Sequence, residues 1–155
     1  MIRIIPFEDR YHADFKRLNL AWLEKFALTE QYDLDVLDNP QKTVLDKQGA
    51  IFLAMDGEKV VGTAGICMEE AGIFELVKMA VDPAYRGRGI SKDLLNACLQ
   101  DAGDKNATKI FLYSNSQLKT ALHLYEQYGF QYKDASNSHL VTADIKMELS
   151  LSDKS

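Results

Sequence analysis

The sequence predicts a mixed α/β domain in which one central sheet carries helices over it. Three observations support this class. An apolar run at Ile73–Val81 leads through a proline turn and a glycine-rich loop into a helical run at Lys92–Ala102. Asp56-Gly57 separates two further apolar runs and is a hairpin signal. The segment Leu140–Leu149 alternates apolar and polar residues, which is typical of a strand with one buried face.

The N-terminal half reads as a strand, two helices and a hairpin. Asp9–Leu28 is predicted to be helical because Phe15, Leu18, Trp22 and Phe26 recur at helical spacing. An Asn-Pro pair is typical of an N-cap followed by proline at the first helical position, which predicts a second helix. The remaining elements predicted before the central unit are the strand Ile2–Ile5, a helix from Pro40 to about Lys47, and the hairpin strands Ala50–Met55 and Lys59–Met68.

The C-terminal half continues the alternation of strands and helices. Gly129 follows a helical pattern and is expected to stop it, because glycine adopts the left-handed conformation common after a helix. The elements predicted after the central unit are the strand Thr108–Ser114, the helix Gln117–Tyr128 and the strands Phe130–Lys133 and Leu140–Leu149. At 155 residues the chain fits one domain, which we expect over residues 1–150, with residues 151–155 as a tail.

Composition narrows the classes of partner and the location. The net charge of −5 argues against nucleic acid and is compatible with a cationic amine substrate, although mild acidity also serves solubility. No apolar run is long enough to span a membrane, and Met1-Ile2-Arg3 opens directly into a strand. We therefore expect no membrane partner, no signal peptide and a cytoplasmic location. Cys67 and Cys98 stand in apolar segments and are predicted to be reduced core residues, while the scattered histidines form no metal pattern.

The segment Val81–Ser91 combines backbone freedom with positive charge. Gly87 and Gly89 have no Cβ, so the backbone there can take positive φ and approach a ligand closely. The helix that follows presents unpaired N–H groups, which favour an anion. The spacing fits neither a Walker A loop nor a dinucleotide fingerprint, and an ordinary turn is the simpler alternative. We interpret the segment as a pyrophosphate cradle with three cationic side chains, Arg86, Arg88 and Lys92.

The pattern Arg86-x-x-Gly89-x-Ser91 resembles the R/Q-x-x-G-x-G/A acyl-coenzyme A loop of the GNAT acyltransferase superfamily. Val81-Asp82-Pro83 stands where that family usually has Val-x-Pro. Ser91 replaces the usual Gly or Ala, and we expect its hydroxyl to cap the helix or to reach a phosphate. The resemblance implies a single-domain GNAT fold with a central mixed sheet of about six to seven strands flanked by helices.

The resemblance also implies acetyl-coenzyme A as cosubstrate and no metal. The pyrophosphate would lie on the loop, and the pantetheine arm would pair with the preceding strand like an added strand. Many family members have Asn where Leu118 stands, and Asn115 is the nearby candidate for that contact. The coenzyme-binding residues that the resemblance implies are Met79, Ala80, Val81, Arg86, Gly87, Arg88, Gly89, Ile90, Ser91, Lys92 and Asn115.

Glu75 is the candidate general base. An amine arrives protonated at neutral pH, so a group must remove a proton before the amine attacks a thioester. Strand spacing puts Glu75 on one face with the apolar residues Ile73, Val77, Met79 and Val81, where desolvation would raise its pKa. The alternatives are a solvated Glu75 at the strand end, or another base such as Glu24, Glu69 or Glu70. The run FELVKMAV resembles the strand that carries the glutamate base in the histone-acetylating branch, and Glu75 matches that residue.

Tyr125 is the candidate general acid. Ala121-x-x-Leu124-Tyr125-x-x-x-Gly129-Phe130 resembles the superfamily's A-x-x-L-Y-x-x-x-G-F segment, in which the tyrosine points at the thioester sulfur. The resemblance therefore implies that Tyr125 donates a proton to the leaving thiolate. Helical spacing by itself favours a core role, because apolar residues share the face of Tyr125.

The leading function is an N-acetyltransferase that acts on a primary amine of a small molecule, peptide or protein. Trp22, Phe26 and Tyr32 lie in the first helical region, which borders the acceptor pocket in the superfamily. Trp22 and Phe26 are also candidates for the core. The alternative is a non-catalytic acyl-coenzyme A sensor or regulatory module, which would keep the cradle without needing Glu75 or Tyr125. The sequence does not identify the acceptor. Homodimers are common in such folds, so a homodimer is a further expectation.

Overall fold

The computed structural model describes residues 1–136, 138 and 140–151. The strands in this part of the chain are β1 Ile2–Pro6, β2 Ala50–Asp56, β3 Lys59–Glu70, β4 Ile73–Val81, β5 Lys109–Ser114, β6 Gln131–Lys133 and β7 Ile145–Ser150. They form one seven-stranded sheet in the order β1-β2-β3-β4-β5-β7-β6. Neighbouring strands are antiparallel except β4 and β5, which are parallel. The predicted mixed α/β class with a central sheet is confirmed.

The helices cover both faces of the sheet. They are α1 His12–Lys25, α2 Gln31–Asp38, α3 Pro40–Thr43, α4 Ile90–Asp104 and α5 Lys119–Gln127. One core contains Leu94 and Leu122 from α4 and α5, and the other contains Phe15 and Leu37 from α1 and α2. Among the described residues, every helix is too short or too polar to cross a lipid bilayer.

Alternation along β2 divides the sheet between the two cores. Ala54 belongs to the core under α4, whereas its neighbours Leu53 and Met55 belong to the core under α1. Successive strand side chains point to opposite faces, so a buried central strand feeds both cores. The Asp56-Gly57 hairpin is confirmed, with Gly57 at φ +62°. Cys67 and Cys98 are free and buried, as predicted.

The N-terminal helices differ from the prediction. The expected helix Asp9–Leu28 begins as a 3-10 turn and is α-helical over α1 only; it ends where Ala27 takes a left-handed φ of +57°. The helix predicted to run to about Lys47 stops at Thr43 and is followed by a 3-10 turn, although Asn39 caps it as expected. The helix α2 was not predicted. Its three aspartates are weak helix formers, and a capping box between Glu30 and Asp33 stabilises its start.

The last predicted strand is wrong in its first half. Residues 140–144 form no strand, and Val141 is 93% exposed although the alternation placed it on the buried face. The backbone here bonds to side chains instead of a neighbouring strand: Glu30 accepts from the N–H groups of Val141 and Thr142, and Asn115 donates to the carbonyl of Thr142. The observed ends of α4, α5, β5 and β6 differ from the predicted ends by one or two residues. Residues 152–155 of the predicted tail lie outside the described residues.

Candidate active site

The strands β4 and β5 pair only over their first residues. Hydrogen-bonded pairing joins Ile73 to Lys109, Phe74 to Ile110 and Glu75 to Phe111, and then ends. Because β4 continues to Val81 and β5 to Ser114, the two strands present unpaired edges to each other beyond Glu75. A wedge-shaped opening therefore forms in the middle of the sheet, with Glu75 at its closed end.

A bulge in β4 shapes this opening. Lys78 has a φ of +54°, which is uncommon for a residue with a side chain, and the register against β3 shifts at this point. Two contacts hold the bulge: Thr63 Oγ1 donates to the carbonyl of Lys78 at 2.8 Å, and Asn19 Nδ2 donates to Thr63 Oγ1 at 3.0 Å. Both Asn19 and Thr63 are buried. Sequence reasoning missed these residues because their partners are distant in the chain.

The bulge also corrects the predicted face of β4. Val77 packs against the core under α1 and α2, as expected for a neighbour of Glu75 on the same face. Met79 and Val81 pack against the opposite core, under α4. The extra residue at Lys78 reverses the alternation, so the single face predicted from Ile73 to Val81 is wrong beyond Val77.

A cavity of about 640 Å³ occupies the opening and extends to both sides of the sheet. The structure brings all but one of the predicted site residues to its wall. Those that line it are Glu75, Tyr125, Met79, Ala80, Val81, Arg86, Gly87, Gly89, Ile90, Ser91, Lys92, Asn115, Trp22, Phe26 and Tyr32. Arg88 is the exception; its guanidinium lies 4.7 Å from the centroid of the ring of Tyr85, which does line the cavity.

The glycine loop ends at the first turn of α4. Gly87 and Gly89 have φ values of +78° and +77°, and a Cβ at either position would meet nothing within 4 Å. The glycines are therefore required by the backbone conformation, not by lack of space. Gly89 is the N-cap, so Ser91 lies inside the helix, and its predicted capping role is wrong. The N–H groups of the first helical turn point out of the helix and can bind an anion.

Glu75 is buried at the closed end of the opening, with 2% of its surface exposed. Its Oε1 has no hydrogen-bond partner among the described residues. Burial raises its pKa to about 8; the charge of Glu69 adds to this and nearby lysines oppose it. The alternative of a solvated carboxylate is wrong, and the competing acids Glu24, Glu69 and Glu70 are exposed. Glu75 can therefore exchange a proton near neutral pH.

Tyr125 projects from α5 into both the core and the cavity wall. It is 6% exposed, and its ring lies 5.7 Å from that of Phe130. Burial, with a smaller contribution from Cys98, raises the pKa of Tyr125 above its ordinary value, so the phenol remains protonated and can donate. The core role and the cavity role, which the sequence left as alternatives, are compatible at this position.

The α1 side of the cavity is aromatic. Trp22 and Phe26 are half-buried and pack edge to face, with ring centroids 5.1 Å apart. Both line the cavity and neither belongs to the buried clusters, so the alternative of a core role is wrong for them. The guanidinium of Arg86 lies 5.4 Å from the centroid of the Trp22 ring, at the junction between this wall and the glycine loop.

Sequence reasoning missed an ion pair on the same wall. The ammonium of Lys78 donates to Asp33, and their side chains are 9% and 5% exposed. A lysine inside the apolar run of β4 was the available signal, because buried lysines almost always have a partner. Asn115, a predicted coenzyme contact, uses its amide group to hold the protein chain, bonding to Thr142 and Gln117.

One group in the described part of the chain has metal-ligand atoms close together. Atoms of Cys67, Glu69 and Glu75 lie within 4.8 Å of one another. Burial and the two carboxylates raise the pKa of the Cys67 thiol to about 12, so the thiol remains protonated at neutral pH. A bound metal would itself deprotonate the thiol, so this pKa does not decide the question and the expectation of no metal stays a prediction.

The fold and the cavity define an α/β protein with a ligand cleft between two splayed parallel strands, above a glycine loop at a helix start. Residues 13–130 match the family described as the acetyltransferase (GNAT) family. The chain belongs to this family, as the resemblance of its loop and tyrosine segment implied.

Curated relatives cover nearly all of this chain. The human N-acetylaspartate synthetase is 35% identical over 148 residues, which are 94% of this chain and 45% of that protein. The rat N-acetylaspartate synthetase is 30% identical over 148 residues, or 94% of this chain and 46% of the rat protein. The chain thus spans less than half the length of these relatives.

Solved structures share the fold. An acetyltransferase of the GNAT family from Staphylococcus aureus Mu50 superposes with a TM-score of 0.88 at 24% identity, over 97% of this chain and 99% of that one. The PaiA N-acetyltransferase from Thermoplasma acidophilum, in complex with coenzyme A, has a TM-score of 0.74 at 17% identity, over 97% and 99% of the two chains.

Proposed function

We propose that this chain transfers an acetyl group from acetyl-coenzyme A directly to a primary amine. The observation that carries the proposal is the buried Glu75 carboxylate, whose Oε1 lacks a partner among the described residues and which lines the cavity. A buried polar atom without a hydrogen bond costs stability, so its retention favours a chemical role. Tyr125, a protonated phenol on the same cavity wall, supplies the complementary acid.

The coenzyme would follow the unpaired edge of β4. Its pyrophosphate would bind the loop and the first turn of α4, where Arg86 and Lys92 line the cavity. Its pantetheine arm would pair with the backbone of Met79–Val81 like an added strand, since β5 no longer pairs with β4 there. A backbone N–H of that segment would polarise the thioester carbonyl.

The reaction needs a base to deprotonate the acceptor and an acid to protonate the leaving thiolate. The Glu75 carboxylate takes one proton from the acceptor ammonium, and the neutral nitrogen then attacks the thioester carbonyl carbon. As the C–N bond forms and the C–S bond breaks, Tyr125 gives its proton to the departing thiolate. The new amide nitrogen releases its second proton, which restores Tyr125. The products are the N-acetylated acceptor and coenzyme A, with one proton passing from Glu75 to solvent.

The test is release of free thiol from acetyl-coenzyme A in the presence of a panel of primary amines. The panel includes aspartate, because the name of the matched synthetases points to that amine. Acetylated product identified by mass spectrometry would establish the activity. Calorimetric binding of coenzyme A without thiol release from any amine would instead support the alternative, a non-catalytic acyl-coenzyme A sensor or regulatory module.

A further inference from the structure

The acceptor side of the cavity, formed by α1, α2 and the adjoining turns, is mainly apolar. Trp22 and Phe26 form its aromatic edge, and Tyr32 stands at the start of α2. Further aliphatic side chains of this wall are Leu23, Leu28, Val36, Val44 and Leu140. The polar lining residues Asn19 and Thr43 already donate hydrogen bonds within the protein, Asn19 to Phe15 and Thr63, and Thr43 to Asn39. A ligand fills such a wall favourably with its own apolar or aromatic surface.

The charged groups on this wall cancel each other. Asp33 and Lys78 are paired and almost fully buried, and the Lys78 ammonium also lies 6.0 Å from the centroid of the Tyr32 ring. Glu75 is then the charged group left for the acceptor among the described residues of this wall. Lys92 and Lys119, which also line the cavity, stand at the starts of α4 and α5. Arg86 lies on the glycine loop with its guanidinium 5.4 Å from the centroid of the Trp22 ring, and the proposed function assigns it to the pyrophosphate. Glu69 and Lys47 are exposed and lie outside the lining.

A segment of chain roofs the acceptor side. Glu30, at the start of α2, accepts hydrogen bonds from Val141 N at 3.0 Å, from Thr142 N at 2.7 Å and from Thr142 Oγ1 at 2.5 Å. Leu140, Thr142 and Ala143 line the cavity beneath these bonds. A tied roof leaves room for a small molecule but obstructs an extended peptide.

We infer that the acceptor is an arylalkylamine, a small primary amine on an apolar aromatic skeleton without a carboxylate beside the nitrogen. The inference rests on the proposed function and specifies its substrate. A carboxylate entering this wall would find its only buried cation, among the described residues, already bound to Asp33. A second ammonium would likewise find Asp33 already bound to Lys78. Burial of either extra charge without a partner is unfavourable.

Binding is measured separately from turnover. Trp22 is the one tryptophan of the chain and lines the cavity, so its fluorescence reports occupancy of the acceptor side. With coenzyme A bound, phenethylamine should change this fluorescence at concentrations about a hundredfold below those needed for phenylalanine, aspartate or putrescine. The kcat/KM values for acetylation should follow the same order.

Two substitutions should weaken this preference, each in favour of a different competitor. Asp33→Asn leaves the Lys78 ammonium unpaired and should improve phenylalanine relative to phenethylamine by about tenfold or more. Lys78→Met leaves Asp33 unpaired and should improve putrescine in the same way. Asp38→Asn is the matched control, because Asp38 stands on the same helix in an exposed pair with Lys16 and should change neither ratio.

The outcomes separate the two proposals. Tight phenethylamine binding without thiol release would leave the acceptor inference standing and contradict the proposed catalysis. Preferred binding or acetylation of aspartate, phenylalanine or putrescine would overturn the inference while leaving acetyl transfer intact. A preference for peptides with an N-terminal phenylalanine over phenethylamine would also overturn it in favour of a peptide acceptor. Unchanged ratios in both variants, with Asp33→Asn and Lys78→Met folded by circular dichroism, would show that the ion pair does not govern selection.

Discussion

The environment of Glu75 suits the chemical role proposed for it. It pairs with Cys67 on β3 and with Phe111 on β5, so both sides of its backbone are fixed within the sheet. Its carboxylate is buried beside the opening, and burial raises its pKa to about 8. A carboxylate of ordinary pKa would be too weak a base to take a proton from an ammonium group efficiently.

Glu75→Gln should lower turnover by about 10²–10⁴-fold near neutral pH, because the amide keeps the shape and loses the basicity. In the parent protein the active form is the carboxylate. Activity should therefore fall by about tenfold per pH unit as the pH drops below about 8, the raised pKa of Glu75. The break near pH 8 should vanish in the variant, whose activity should keep rising with pH as the amine deprotonates by itself, so the deficit should shrink at high pH. Glu70→Gln, an exposed control, should keep the parental profile.

Tyr125→Phe should lower kcat much more than it weakens acetyl-coenzyme A binding. The ring remains to pack against Phe130, while the hydroxyl that is proposed to act on the developing thiolate is lost. Single-turnover kinetics and calorimetry measure the two effects separately. Parental turnover in this variant would leave Tyr125 with the core role only.

At the scale of elements, the strand β4 decides the geometry of the site. Its first half is an ordinary central strand, while its second half, which contains the bulge at Lys78, separates from β5 after Glu75. The bulge is held by Thr63 from β3 and, through Thr63, by Asn19 from α1. The opening is therefore stabilised by hydrogen bonds that join β4 to the neighbouring strand β3 and, through it, to α1, which is distant in the chain.

Thr63→Val should destabilise the protein by about 1–3 kcal/mol, because it leaves the Asn19 amide and the Lys78 carbonyl buried without their hydroxyl partner. Urea unfolding measures the loss. Because the bulge shapes the opening, Thr63→Val should also weaken coenzyme binding. Thr63→Ser keeps the hydroxyl and should recover most of that affinity. Equal coenzyme affinity in the two variants would show that the bulge holds without this bond.

Gly89→Val should abolish coenzyme A binding with the sheet intact. Gly89 has a φ of +77°, and a β-branched residue there costs about 1–3 kcal/mol, which the loop can avoid only by changing its path. Gly89→Asn should bind nearly as well, since asparagine tolerates the left-handed region and a Cβ meets nothing within 4 Å. Calorimetry compares the two, and equal binding by the valine variant would contradict the cradle.

The protein is acidic as a whole, but part of its cavity wall is cationic. The net charge is −5, yet the coenzyme side of the cavity carries Arg86, Lys92 and Lys119. A local cationic patch on an acidic protein attracts a polyanion such as coenzyme A and leaves the rest of the surface repulsive to it.

Affinity for coenzyme A should therefore fall as salt is added, because screening weakens exposed charge pairs. Arg86→Ala should cost about 1.5–3 kcal/mol of binding free energy through a lost charge-assisted contact. Arg88→Ala is the matched control: Arg88 stacks on Tyr85 and does not line the cavity, so its loss should be much smaller. Titrations of both variants at two salt concentrations test this, and equal losses would contradict the distinction.

The sequence by itself determined the features that depend on neighbouring residues. The order of strands and helices, the hairpin at Gly57 and the glycine loop before α4 follow from alternation, helical spacing and the conformational freedom of glycine. Those patterns also carried the resemblance to the family. The helix α2 was not predicted from the sequence, because its aspartates favour turns and its start depends on a capping box.

Only the tertiary structure decided how the site is built. Asp33 and Lys78 are 45 residues apart, and Glu30 and Thr142 are 112 residues apart, so no local pattern pairs them. The bulge that reverses the face of β4 depends on Thr63 and Asn19, which belong to other elements. Burial, and with it the pKa of Glu75, depends on all the residues packed around it. Only the folded chain therefore distinguishes Glu75, the proposed base, from the exposed acids Glu24, Glu69 and Glu70.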